Sequence, residues 1–292
     1  MSVARIRTAV IVASCLAVLL LSPRLAGAGP APETVSPAPG AAAEAARASG
    51  YTSRMSLADS VVKLVQAGVI HPGKFAAAHA RGGAASQEVD ELLRHHSFAP
   101  ILITRENAAL YVNALWPLGL ANRMAINDAS PLNGSARFGY ASTGGWTLGM
   151  EANGGAYFNK FPIVTLSARQ EALVAKVAHH SFRPCCNNST FFQDCNHGSA
   201  LLGLLVLGAS QGLGEDELYR EALAFNSFWF PHEYANVGIY FRELRGIGWK
   251  DVDPRLAMSA EISSASGYRS GVVEALRARG LLHPHDSPAC SV

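Results

Sequence analysis

The sequence predicts a mainly α-helical protein: a single-domain bundle packed around one buried apolar helix at residues 197–211. Three observations carry this expectation. Residues 200–208 (Ala-Leu-Leu-Gly-Leu-Leu-Val-Leu-Gly) are apolar on every side, the pattern of a helix surrounded by other elements. Helical start and stop residues recur along the rest of the chain. Apolar residues make up 49% of the sequence and charged ones only 16%, the composition of a compact chain with a large core.

The N-terminus reads as an export signal. Arg5 and Arg7 precede an apolar run from Ala9 to Leu21, and Ala26-Gly27-Ala28 fits a small-x-small cleavage site. The run is shorter than the roughly twenty residues a membrane-spanning helix needs, so residues 1–28 are expected to be a cleaved signal peptide rather than a stable transmembrane anchor. Cleavage near Ala28 would place the protein in the periplasm or outside the cell. Residues 29–52, rich in Pro and Ala, read as a disordered tether, and residues 53–292 as a single helical domain.

Within the domain, Ser56-Leu57-Ala58-Asp59 resembles a capping box that opens a helix ending at Gly68. Helices are expected at 86–96 and at 105–116, the latter capped by Thr104. Ser167-Ala168-Arg169-Gln170 is a further capping box, for a helix that ends near His180 before Pro184. Residues 215–229, 232–245 and 268–279 complete the set. The Gly- and Asn-rich stretch 133–160 is a long irregular segment with room for a short hairpin, and its Trp146, Tyr157 and Phe158 are expected to pack. The run 64–72 is echoed at 276–284, each with Gly, apolar residues, His and Pro after a helix. A shared way of ending a helix accounts for this better than duplication, and makes His71 and His283 turn residues.

Charge excludes several partners. Loss of residues 1–28 would take 24 basic residues to 21 against 22 acidic ones, a net charge of −1. No basic stripe is present for nucleic acid or an anionic membrane surface. No phosphate-binding loop, Gly-x-Ser-x-Gly elbow, His-Glu-x-x-His helix or dinucleotide fingerprint occurs.

The chemistry concentrates in one place. His179-His180-Ser181-Phe182-Arg183-Pro184-Cys185-Cys186 is followed closely by Asp194-Cys195-Asn196-His197-Gly198. Cys195 and His197 fall at the start of the buried helix, where unpaired N–H groups and the helix dipole favour a thiolate. Thiolates with an imidazole suit zinc, copper(I) or iron. The candidate metal ligands are Cys185, Cys186, Cys195 and His197, with His180, Asp194 and His232 as supporting or alternate groups. Adjacent cysteines rarely both reach one ion, so the spacing is not that of a zinc finger. Two other readings stay open. One is thiol–disulfide chemistry with Cys195 as the reactive thiol. The other is a disulfide-stapled helical domain, with Cys195 joined to one vicinal cysteine and Cys290 to the other. Asp194 and Asn196 are also candidate N-caps, and the aromatic residues between Phe225 and Phe241 are expected in the core.

Arg183-Pro184-Cys185-Cys186-Asn187-Asn188, Asp194-Cys195-Asn196-His197-Gly198 and Ala224-Phe225-Asn226-Ser227-Phe228-Trp229-Phe230-Pro231 together resemble a group of uncharacterised exported bacterial proteins, over most of residues 53–270. The resemblance implies a shared helical fold and carries no activity with it.

Overall fold

The structure, a computed structural model, describes residues 50–80 and 86–282. The segment read as a signal peptide, most of the expected tether, Cys290 and His283 lie outside the described residues. Those described form a helical bundle with one two-stranded antiparallel sheet, β1 (Tyr51–Thr52) against β2 (Leu102–Ile103), in register Tyr51 to Ile103. No helix among them is long and apolar enough to cross a membrane.

Helix α1 (Ser60–Gln66) starts later than its sequence suggests. Ala58 forms an antiparallel bridge with Ser97 at a positive φ of 49°, and the Ser56 N–H donates to Gln211 Oε1 at 3.0 Å, so the expected capping box is not made. The stop at Gly68 is as expected. Its φ is +72°, and Val69 N donates back to Leu64 O at 2.9 Å. Gly280 repeats this at φ +65°, with Leu281 N donating to Leu276 O at 3.0 Å, so the sequence echo is a shared helix terminator.

Helix α2 (Pro72–His79) was not expected. His71 is its N-cap: ring Nδ1 accepts from Gly73 N at 3.1 Å and Lys74 N at 3.3 Å. Helix α3 (Ser86–Arg94) follows. Helix α4 (Ala108–Ala121) is entered through reciprocal bonds between Thr104 and Asn107, and it continues through Pro117 instead of ending at 116. A proline inside a helix removes one N–H···O bond. Burial outweighs that loss, because all of Ala114 to Ala121 lies in the core.

Residues 133–160 form no hairpin. They make isolated 3-10 turns and one helical turn at Ala141–Gly144. Trp146, Tyr157 and Phe158 are buried as expected, and Trp146 Nε1 donates to Val69 O at 2.8 Å.

Helix α5 (Ala168–His180) carries the predicted Ser167/Gln170 capping box. Helix α6 (Asn196–Ser210) is the buried central helix, and α7 (Glu215–Trp229) and α8 (Pro231–Ile239) follow, the last running into a π turn at Tyr240–Leu244. The chain closes with helix α9, in which Ala265–Gly267, Tyr268–Val273 and Glu274–Arg277 run on continuously, the middle six residues π-wound.

Helix α6 packs on α4, α5 and α7, most extensively on α4. The α4–α6 crossing depends on two glycines. A Cβ on Gly119 would lie 1.9 Å from Ser199 O, and one on Gly203 2.3 Å from Leu115 O. Backbone meets backbone here, so no side chain fits. Buried Glu221 of α7 accepts from Tyr51 Oη at 2.9 Å and Ser53 Oγ at 2.8 Å, pinning the first strand to the bundle.

Candidate metal centre

The site is built where the loop after α5 returns to the first turn of α6. Ser181 ends α5 in extended conformation, and Pro184 and Cys185 make a turn closed by Cys186 N donating to Arg183 O at 3.2 Å. Cys186 O accepts from Ala265 N at 2.9 Å, and Asn187 Oδ1 accepts from Ser266 N at 2.7 Å, so the loop is tied to the start of α9.

The residue that caps α6 is Cys195 rather than Asp194 or Asn196. Its sulfur accepts from Gly198 N at 3.3 Å and from Arg183 Nε at 3.2 Å. Asp194 is engaged elsewhere, accepting from Arg183 Nη2 at 2.7 Å and Asn188 Nδ2 at 2.8 Å. Asn196 Oδ1 only meets the next N–H, that of His197.

Arg183 organises the loop. Its side chain is fully buried, and Nη1 and Nη2 donate to Asn188 O and Oδ1 at 3.0 and 2.8 Å. The guanidinium lies over Gly198, where a Cβ would stand 2.7 Å from Cζ. Burial works against its charge, but the sulfurs of Cys195, Cys186 and Cys185 outweigh this and raise its pKa.

Around this frame three sulfurs converge. Cys186 and Cys195 are 3.3 Å apart, Cys185 and Cys186 3.6 Å, and Cys185 and Cys195 3.8 Å. All three are free thiols in half-buried residues. The vicinal pair thus does reach one point, against the expectation from its spacing. No disulfide joins the described cysteines, so the expected bond between Cys195 and a vicinal partner is not formed.

The electrostatics divide the thiols. Contacts with Cys185 and Cys186 hold Cys195 well below the ordinary thiol range, and Arg183 adds to this against the opposing effect of burial. In Cys186 the contact with Cys185 pulls the thiol down, but donation to Cys195 together with burial pushes it up to about 12. Cys195 is therefore the thiol most drawn toward its anionic form, and Cys186 donates to its sulfur.

The other expected site residues fall outside this triangle. The ligand atoms lying within 4.8 Å of one another are the three sulfurs and, among the described residues, no others join them. His197 is buried in the first turn of α6, its ring 4.5 Å from that of Phe230 and 6.1 Å from that of Trp229, and its Nε2 has no hydrogen-bond partner. Burial lowers its pKa to about 4, with Cys195 opposing and Arg183 reinforcing the shift, so the ring is neutral at pH 7. His180 is exposed at the end of α5, where Nδ1 donates to Lys176 O at 2.8 Å. His232 is half-buried in the first turn of α8.

Three soft sulfurs so placed could hold a metal ion. A tetrahedral ion with Zn–S bonds of about 2.3 Å spaces its sulfurs about 3.8 Å apart, close to the separations here. A cleft of about 690 Å³ opens elsewhere, beside α1, α2 and α3, lined by Val65, Ala76, Val89 and Leu93. It gathers no comparable set of ligands, so chemistry rather than volume identifies the site.

The sequence places Gly198 at the site as room for a close approach, which the Arg183 guanidinium fills, but gives Arg183 itself no role. An arginine directly before Pro-Cys-Cys, in a chain whose cysteines demand a buried counter-charge, was the available signal. No protein-family model matches the chain, and neither characterised proteins nor solved structures yield a match.

Proposed function

We propose that this is an exported metal-binding protein whose Cys185, Cys186 and Cys195 grip one soft ion, zinc, copper or iron. The supporting observation is the mutual approach of three free, half-buried sulfurs at 3.3–3.8 Å. Their softness disfavours magnesium, calcium and manganese, which prefer oxygen ligands. His197 supplies a neutral imidazole in the first turn of α6 and is the candidate fourth ligand. Asp194 acts at one remove, by fixing the Arg183 guanidinium against the Cys195 sulfur. His180 and His232 lie outside the sulfur triangle and are not needed for binding.

The test is metal analysis of the purified, reduced protein together with a count of free thiols. One equivalent of ion per chain is expected, and Cys195→Ser should reduce it below a tenth of that under about micromolar free zinc. Wild-type protein without metal after reconstitution, or Cys195→Ser with full occupancy, would show the assignment to be wrong.

A further inference from the structure

We propose that the metal site is gated by thiol oxidation: a disulfide between Cys186 and Cys195 forms at the expense of the ion and releases it. The inference rests on the metal reading above and adds a regulator to it. Three features of the geometry carry it. Cys186 and Cys195 are the nearest sulfur pair, at 3.3 Å, and bonding them requires an approach of only about 1.3 Å. The Cys195 sulfur is held in place beside Cys186 by two donors, Arg183 Nε at 3.2 Å and Gly198 N at 3.3 Å. Cys195 sits on a helix end and the Cys186 backbone is held by Arg183 O and Ala265 N, so the short remaining gap is one for side-chain rotation to close.

The oxidant is a small external disulfide, R–S–S–R. The Cys195 thiolate attacks one of its sulfurs, forming a mixed disulfide as the external S–S bond breaks and one RS⁻ departs. Cys186, which would be a thiolate while ligating the ion, attacks Cys195 Sγ and displaces the second RS⁻, and the ion passes to solvent. Two protein thiolates have then lost two electrons, and one external disulfide has become two RS⁻, which take up protons from water. Cys185 is left as a lone sulfur ligand, which is too few to retain the ion.

The experiment uses the full chain loaded with Zn²⁺ and exposed to graded ratios of oxidised to reduced glutathione. Released zinc is read with a chromogenic chelator, and disulfides are mapped by alkylation and mass spectrometry. We expect loss of one zinc for each Cys186–Cys195 bond formed. Each tenfold rise in free zinc above its dissociation constant should demand about tenfold more oxidising conditions, since linkage is reciprocal. Cys185→Ser should still form the bond, with a midpoint that no longer moves with zinc. Retention of zinc after the bond forms, thiols that stay reduced throughout, or a bond mapped to a different pair overturns the switch alone. Reduced protein that binds no zinc overturns both the switch and the metal reading. The wild-type measurements decide the matter even where a variant fails to fold.

Discussion

The middle of α6 and its first turn belong to one helix and meet opposite surroundings. At Gly203 the helix touches α4 backbone to backbone, against Leu115 O and Gly119 N. At Gly198, little more than a turn earlier, the missing Cβ makes room for the Arg183 guanidinium, among thiols, a carboxylate and an asparagine. Glycine serves both places for different reasons. In the first the obstacle is a rigid carbonyl, and in the second it is the end of a side chain held by hydrogen bonds. The core end is therefore specified by shape, and the loop end by charge.

Matched substitutions separate the two. Gly119→Ala should be the most damaging, losing more than about 4 kcal/mol, because the new Cβ has no side chain to push aside. A melting temperature near wild type would refute the close crossing. Arg183→Met should cost about 3 kcal/mol in urea unfolding, by leaving Asp194 and the Cys195 sulfur without their buried partner. Asp194→Asn in the same background should recover part of that loss; if it does not, the ion pair is not what Arg183 contributes.

Acid tests the loop end in the reduced, metal-free protein. His197 has a folded pKa of about 4 against 6.5 unfolded, so the unfolded chain binds the extra proton. Its contribution is fully present above pH 6.5 and is lost as pH falls toward 4, amounting to roughly 2 kcal/mol by pH 4.5. His197→Phe should flatten that slope, and an unchanged slope would assign the acid sensitivity elsewhere. Gly198→Ala should be the mildest, about 1 kcal/mol, since the guanidinium can shift slightly. If it matched Gly119→Ala, the contrast between side-chain and backbone obstacles would fail.

Much of the frame was legible in the sequence. Residues 200–208 announce the central helix by having no polar face, Ser167 and Gln170 cap α5 as their spacing requires, and Gly68 and Gly280 end helices through the same backbone bonds. The cysteine cluster was legible as a place, because α6 must bring Cys195 to whatever precedes it. Other features depend on distant contacts and so left no local trace. Pro117 marks a helix end by propensity, and only burial against α6 carries the helix past it. Ser56 resembles a cap until Gln211, far along the chain, takes its N–H. His71 reads as a turn residue because imidazole is an uncommon N-cap. Arg183 could be seen next to the cysteines but not its burial, which follows from folding of the Asn188–Asp194 segment around it.

The tie between the cysteine loop and the residues that open α9 has a wider consequence. The peptide group of Cys186 and the side chain of Asn187 are the pegs from which the last helix hangs. Whatever rearranges the sulfurs must either keep those two pegs in place or shift the start of α9, which couples that helix to the most reactive loop.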